Sequence, residues 1–356
     1  MKYPRLNIDL EKIKFNTNTM VRLCHQRNIE IAGVTKLFCG DPKIAGVYEK
    51  GGVDLLADSR IDNLVKMKDL PLPKMLLRVP MISRVDDIIE YSDVGLVSEP
   101  SVVKALSNEA HRRGKVYRVI LMIDLGDLRE GIYHENEIIK AVEEISSMKS
   151  ILLEGIGTNL TCYGGVKPAW DNLSRLATWK NSIEKLTGKP LKVISGGNGS
   201  TLSLLPTPGI PPHINQLRLG SSLTMGIGLN DEPIKGLYQD AFTLEAEIVE
   251  IREKPSIPMG EIGLDAFGNK PVFEDKGLRL RAICAIGRQD IHPEHLSPVN
   301  AGSKILGASS DHLLLDVTES TGKLKVGNTL CFYVTYGGCL SAMTSPYVHK
   351  HYLNEQ

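Results

Sequence analysis

Over its first two-thirds the chain alternates short apolar, β-branched runs with longer amphipathic stretches, and that rhythm leaves few architectures open. Short apolar runs bounded by turn residues read as buried strands, and the stretches between them as helices packed on a parallel sheet. The runs fall at residues 30–36, 53–57, 75–79, 94–97, 116–123, 151–158, 191–195 and 214–218. Helical patterns lie between them, for instance at 42–50, 99–113, 135–148 and 170–186. Eight strands with intervening helices in roughly 220 residues is the arithmetic of a closed (β/α)8 TIM-type barrel. A doubly wound open sheet rarely needs eight strands in this length. No G-x-G-x-x-G follows a strand to begin a dinucleotide fold.

From Phe242 onward the pattern changes to period two, in runs such as 243–251, 278–286, 312–317 and 329–334 separated by turn residues. This predicts an antiparallel β domain. The expected division is therefore a barrel over 1–228 and a C-terminal β domain over 229–356. The proline-rich stretch 206–212 reads as a loop before the last barrel strand.

Charge narrows the partners. The 42 lysines and arginines balance 42 aspartates and glutamates, so no global field favours nucleic acid or an anionic membrane, and a small-molecule substrate is expected. Six cysteines, at 24, 39, 162, 284, 331 and 339, form no C-x-x-C pair, which fits reduced thiols in a cytoplasmic protein. No apolar run approaches a membrane-spanning length, and the N-terminus lacks the apolar core of a signal peptide.

Unusual polar residues gather where the expected strands end, on the rim where barrel loops build sites. Lys36 ends the first strand, where burial would lower its pKa and free its amine to form an imine with a carbonyl. The segment 124–131, containing Arg129, follows the fifth strand, and Gly157-Thr-Asn159 ends the sixth. Ser195-Gly-Gly197-Asn198-Gly-Ser200 follows the seventh, and Arg218-Leu-Gly220-Ser221 closes the eighth. Glycines let backbone N–H groups approach an anion, and a following helix would add its positive end. Loops after strands seven and eight are the usual phosphate site of such barrels. An imine-forming lysine beside a phosphate loop makes pyridoxal 5'-phosphate the economical cofactor.

These motifs resemble those of the alanine racemase-type (fold-type III) pyridoxal-phosphate enzymes over nearly the whole chain, and most specifically the alanine/ornithine racemase group. The resemblance implies Lys36 as the cofactor-linked lysine and Arg129 as the contact to the cofactor's phenolic oxygen. Asn159 stands where a ring-facing histidine is common. Gly197, Asn198, Ser200, Gly220 and Ser221 match the phosphate loops, and Tyr336 a C-terminal tyrosine that returns to the phosphate. Arg218 resembles the racemases' arginine rather than the glutamate of the decarboxylase branch. An arginine cannot hand a proton to the ring nitrogen, so the ring is a weaker electron sink, which favours returning a proton to Cα.

Racemisation needs acid–base groups on both faces of Cα. Lys36 is expected to serve one. Alanine racemases bring a tyrosine from the partner subunit to the other, but Ala285-Ile-Gly-Arg288-Gln-Asp290 carries an arginine at that place, which makes Arg288 a substrate-binding candidate. Leu306-Gly-Ala-Ser-Ser310-Asp311 resembles a decarboxylase motif whose cysteine and aspartate enter the neighbouring subunit's site. By that resemblance Ser310 is the second catalytic candidate, and Asp311 reads the terminal ammonium of a basic substrate. The electronics and charge alone point to a racemase of a cationic amino acid; the resemblance further implies that it interconverts L- and D-ornithine, as a homodimer whose sites are completed by the partner's β domain, with no metal expected. A lysine or alanine racemase of broad specificity, or an aldolase, dehydratase or decarboxylase of the same fold, is the alternative.

Overall fold

The computed structural model describes residues 2–206, 209–264, 267–268 and 270–354. Thr207 and Pro208, in the proline-rich stretch read as a loop, lie outside the described residues. The chain divides into two compact units, one of residues 11–239 and one combining 1–10 with 240–356.

In the first unit eight parallel strands close into a barrel in chain order: Glu30–Val34, Leu55–Asp58, Lys74–Leu76, Val94–Val97, Tyr117–Met122, Ile151–Gly157, Val193–Ser195 and Gln216–Leu219. Each coincides with one of the eight apolar runs. Inward-pointing Ala32, Val34, Leu55, Ala57, Met75, Val94, Leu96, Ile120 and Met122 fill the interior with apolar volume, so the barrel is a packed core. Helices Pro42–Lys50, Pro100–Arg112, Glu135–Ser146 and Trp170–Thr187 follow the expected periodic stretches. Ile61–Lys66 and Val85–Tyr91, of six and seven residues, are too short to show a helical period.

The first strand stops earlier than the apolar run suggests. It ends at Val34, Thr35 donates its N–H to Ala57 O (2.8 Å), and Lys36–Phe38 form a 3₁₀ turn. Asp41 then caps helix Pro42–Lys50 by accepting N–H bonds from Lys43 and Ile44. Lys36 therefore projects from a tight turn between a strand and a capped helix.

The second unit is an eight-stranded sheet. Strand Phe242–Pro255 pairs antiparallel with Leu278–Cys284 and Thr329–Val334, and it buries alternate residues Phe242, Leu244, Ala246 and Ile248. Leu313–Asp316 and Lys304–Ala308 extend one edge, and Leu296–Pro298 the other. Arg5–Asp9 also belongs here: it pairs antiparallel with Phe242–Pro255, Leu6 opposite Leu244, and parallel with His349–Leu353, Arg5 opposite His349. Its alternation buries Leu6 and Ile8, which is why this stretch joins the sheet. Among the described residues no helix is long and apolar enough to cross a membrane.

Candidate active site

The barrel's carboxyl rim brings together the side chains that its loops were expected to supply. Lys36 is accessible by area, yet protein crowds it closely enough that burial lowers its pKa. The nearby positive charges of Arg129 and Arg218 push in the same direction, while Cys162 and Asp58 pull the other way. An accessible amine of reduced basicity is suited to attack a carbonyl.

Arg218 lies on the last barrel strand and is buried. Its Nη1 donates to Ser195 Oγ (2.5 Å), and its Nη2 to Thr158 O (2.6 Å) and, at the limit of bonding, to Asn159 Oδ1 (3.5 Å). Among the described residues these bonds all go to neutral oxygens, and no ion pair joins them. Burial pulls its pKa down to about 10, with Glu130 opposing the shift, so the guanidinium stays charged at neutral pH. The guanidinium thus spans the ends of strands six and seven as a fixed cation.

Asn159 donates through Nδ2 to Glu130 Oε1 (3.3 Å) and Cys162 Sγ (3.4 Å). Asn198 donates through Nδ2 to Leu160 O (2.9 Å), Cys162 Sγ (3.1 Å) and Asn159 Oδ1 (3.2 Å), and accepts Ser200 N–H (2.8 Å) on Oδ1. It is a tie between loops, with both ends of its amide bonded to protein. Arg129 is ion-paired with its neighbour Glu130, Nη2 lying 2.7 Å from Oε1. Glu130 and Cys162 were not singled out from the sequence; the segment 124–131 contained the first, but nothing local marked the second.

Asp127 explains why Cys162 is there. Its carboxylate accepts four backbone N–H bonds, from Thr161 (3.0 Å), Cys162 (3.1 Å), Tyr163 (3.0 Å) and Val166 (3.1 Å), pinning the loop after strand six to the loop after strand five. Burial opposes ionisation at Asp127, but the four donors outweigh it and lower the pKa.

The loops after strands seven and eight hold the features of an anion site. Gly197 has φ +103°, in the region that favours glycine. The buried hydroxyls Ser200 Oγ, Ser222 Oγ and Thr158 Oγ1 have no hydrogen-bond partner among the described residues. An orphaned buried hydroxyl costs about 1–3 kcal/mol, so three of them around this rim fit a ligand rich in acceptors, such as a phosphate ester. Ser222 was missed in favour of its neighbour Ser221, which is half-buried. The expected contribution of a following helix is corrected: Gly199–Leu204 is a 3₁₀ segment and Ser221–Thr224 has four residues, so the donors are loop groups and hydroxyls rather than a helix end.

The remaining candidates belong to the β unit. Segments 285–290 and 308–311 pack backbone to backbone, with Arg288 N–H on Ser309 O (2.9 Å) and Gln289 N–H on Ser310 O (3.0 Å). Gly287 makes this approach possible, since a Cβ there would stand 2.2 Å from Ser310 O. Arg288 is committed to Ala308 O (3.2 Å), His292 Nδ1 (3.1 Å) and Glu294 (3.6 Å). Ser310 and Asp311 are exposed, and Ser310 Oγ donates to Asp311 Oδ2 (2.9 Å). Tyr336 opens helix Tyr336–Thr344, capped by Thr335, and is half-buried.

A closed parallel barrel and an antiparallel β unit in the same chain is a fold shared with solved alanine racemases. Those of Clostridium difficile 630 and of Bacillus anthracis, the latter with bound L-Ala-P, each superpose with TM-score 0.76, covering 99% and 100% of this chain and 96% of theirs. Their identities of 18% and 17% make that a likeness of fold. The model of the alanine racemase N-terminal domain matches residues 8–227, and the chain belongs to the alanine racemase family. Full-length relatives include an ornithine racemase of Acetoanaerobium sticklandii, 44% identical over 352 residues (99% of this chain, 100% of the relative). A lysine racemase of Thermotoga maritima is 44% identical over 355 residues, 99% of each chain.

Proposed function

We propose that this protein is a pyridoxal-phosphate-dependent racemase of a basic amino acid, with ornithine the preferred substrate. The observation that carries the reading is Arg218, a buried permanent cation bonded to neutral oxygens at the strand ends. When bound, pyridoxal phosphate supplies the carbonyl that captures an amine and a ring that delocalises the electron pair at Cα. Ser200, Ser222 and the loop N–H groups near Gly197 and Gly220 would hold its phosphate, with Ser221 and Tyr336 further candidates. Arg129 would meet the phenolic oxygen, and Asn159, tied through Asn198, would flank the ring. Arg218 would face the ring nitrogen, where it donates and cannot protonate.

Lys36, with its lowered basicity, moves the proton at one face of Cα. Ser310 is the residue we assign to the other face, entering from a partner subunit in a homodimer, with Arg288 holding the segment that carries it. Asp311 accepts the distal ammonium through a charge-assisted bond, which selects a cationic side chain over alanine. The two full-length relatives named for ornithine and lysine support that choice of substrate class.

The test is direct. Purified protein with pyridoxal phosphate is given single enantiomers of ornithine, lysine and alanine in deuterated water. Chiral chromatography then follows the antipode, and mass spectrometry the Cα deuterium. Ornithine should racemise fastest, with deuterium in the product. Carbon dioxide release without racemisation would sink the reading.

A further inference from the structure

Asp58 closes the second barrel strand and is fully buried, yet the chemistry above makes no use of it. Three donors converge on its carboxylate. Thr35 Oγ1 donates to Oδ2 at 2.6 Å, and Arg60 N–H (2.9 Å) and Asn63 Nδ2 (3.0 Å) donate to Oδ1. Thr35 is itself fully buried and immediately precedes Lys36. On the far side of the turn, Lys66 Nζ donates to Cys39 O (2.8 Å) and to Asn63 Oδ1 (3.3 Å). The turn that carries Lys36 is therefore held at both ends by residues 58–66.

Charge runs through the same contacts. The titratable groups acting on Lys36 come from four elements: Asp58 on strand two, Arg129 after strand five, Cys162 after strand six and Arg218 on strand eight. Asp58 is the carboxylate among them. Burial outweighs the rest and raises its pKa, and its three donors and the Lys36 cation limit that rise.

We propose that Asp58 is the positioning residue of Lys36: it fixes, through Thr35, the turn from which the amine projects, and it supplies the negative charge that balances Arg129 and Arg218 there. This rests on the racemase reading for the use made of the amine, but its test does not. Lys36 in the full chain is labelled with formaldehyde and cyanoborohydride across a pH series, and its methylation is read by peptide mass spectrometry, which needs no cofactor. Asp58→Asn should move the labelling midpoint of Lys36 to lower pH by about one unit, because a stabilising negative charge is lost. Thr35→Val should move it the same way by less, and Thr35→Ser, which keeps the hydroxyl, should restore the wild-type midpoint.

A role in packing alone would lower the unfolding midpoint and leave the labelling midpoint in place. Unchanged or raised midpoints in folded Asp58→Asn and Thr35→Val protein would overturn the proposal. Should Asp58→Asn fail to fold, the Thr35→Val and Thr35→Ser pair decides. Wild-type protein that labels as expected but racemises nothing would sink the function and spare this arrangement.

Discussion

In the function proposed above, Arg218 and Lys36 divide the work at the level of single side chains, one serving as a fixed cation and the other as an amine of lowered basicity. Replacing the guanidinium by a carboxylate, as in Arg218→Glu, should cut ornithine racemisation by about 10²-fold, the scale on which one preorganised charge acts. It should also raise the share of turnovers that release carbon dioxide, measured with carboxyl-labelled substrate. Lys36→Ala should abolish racemisation together with the visible absorbance of bound cofactor. Asp311→Ala should raise the KM for ornithine about tenfold, the worth of one charge-assisted bond, and leave that for alanine nearly unchanged. Lys36, Arg218 and Asn159 were legible from sequence because each sits at or beside a strand end, and a strand end is fixed by the apolar run before it. Glu130, Cys162, Ser222 and Asp58 were not, because their places depend on how separate loops meet.

At the scale of an element, the loop 161–166 owes its shape to one carboxylate. In Asp127→Asn an NH2 group would face two of the four backbone donors. The loss should be about 1–3 kcal/mol in urea unfolding, with faster amide exchange across Thr161–Val166. The folded pKa of Asp127 is depressed, so its contribution is present above the ordinary carboxylate value and is lost as pH falls through the lowered one. Exchange at these amides should therefore accelerate in acid before the barrel opens. Gly287→Ala should separate segments 285–290 and 308–311 and reduce discrimination between ornithine and alanine, read as the ratio of their kcat/KM. The eight barrel strands were legible because buried parallel strands are apolar throughout. Their ends were less so: the expected first strand ran to Lys36, but the strand ends at Val34, Thr35 makes a last bond to Ala57 O, and Lys36 already belongs to a 3₁₀ turn.

Across the whole molecule, acid stability has a second anchor in the β unit. Burial works against the charge of Asp316, but Arg279 Nε (2.8 Å) and Thr318 hold it, and its pKa falls to about 2 from an ordinary 3.8. The sign follows: its stabilisation, about 2 kcal/mol, is complete above the ordinary value and disappears as pH drops toward 2. Arg279→Met should flatten the acid limb of the unfolding curve, followed by tryptophan-independent far-ultraviolet dichroism. The change from long helical periods to period two announced this unit from sequence. Membership of Arg5–Asp9 was hidden, since five alternating residues carry no address for a partner more than two hundred positions away.

That first strand sets a timetable for synthesis. His351 meets Asn7 across a separation of 344 residues, and strand His349–Leu353 lies alongside Arg5–Asp9. On the ribosome, the opening strand must wait through translation of the entire barrel before its last neighbour emerges. The sheet can close only after the barrel between its two strands has been made.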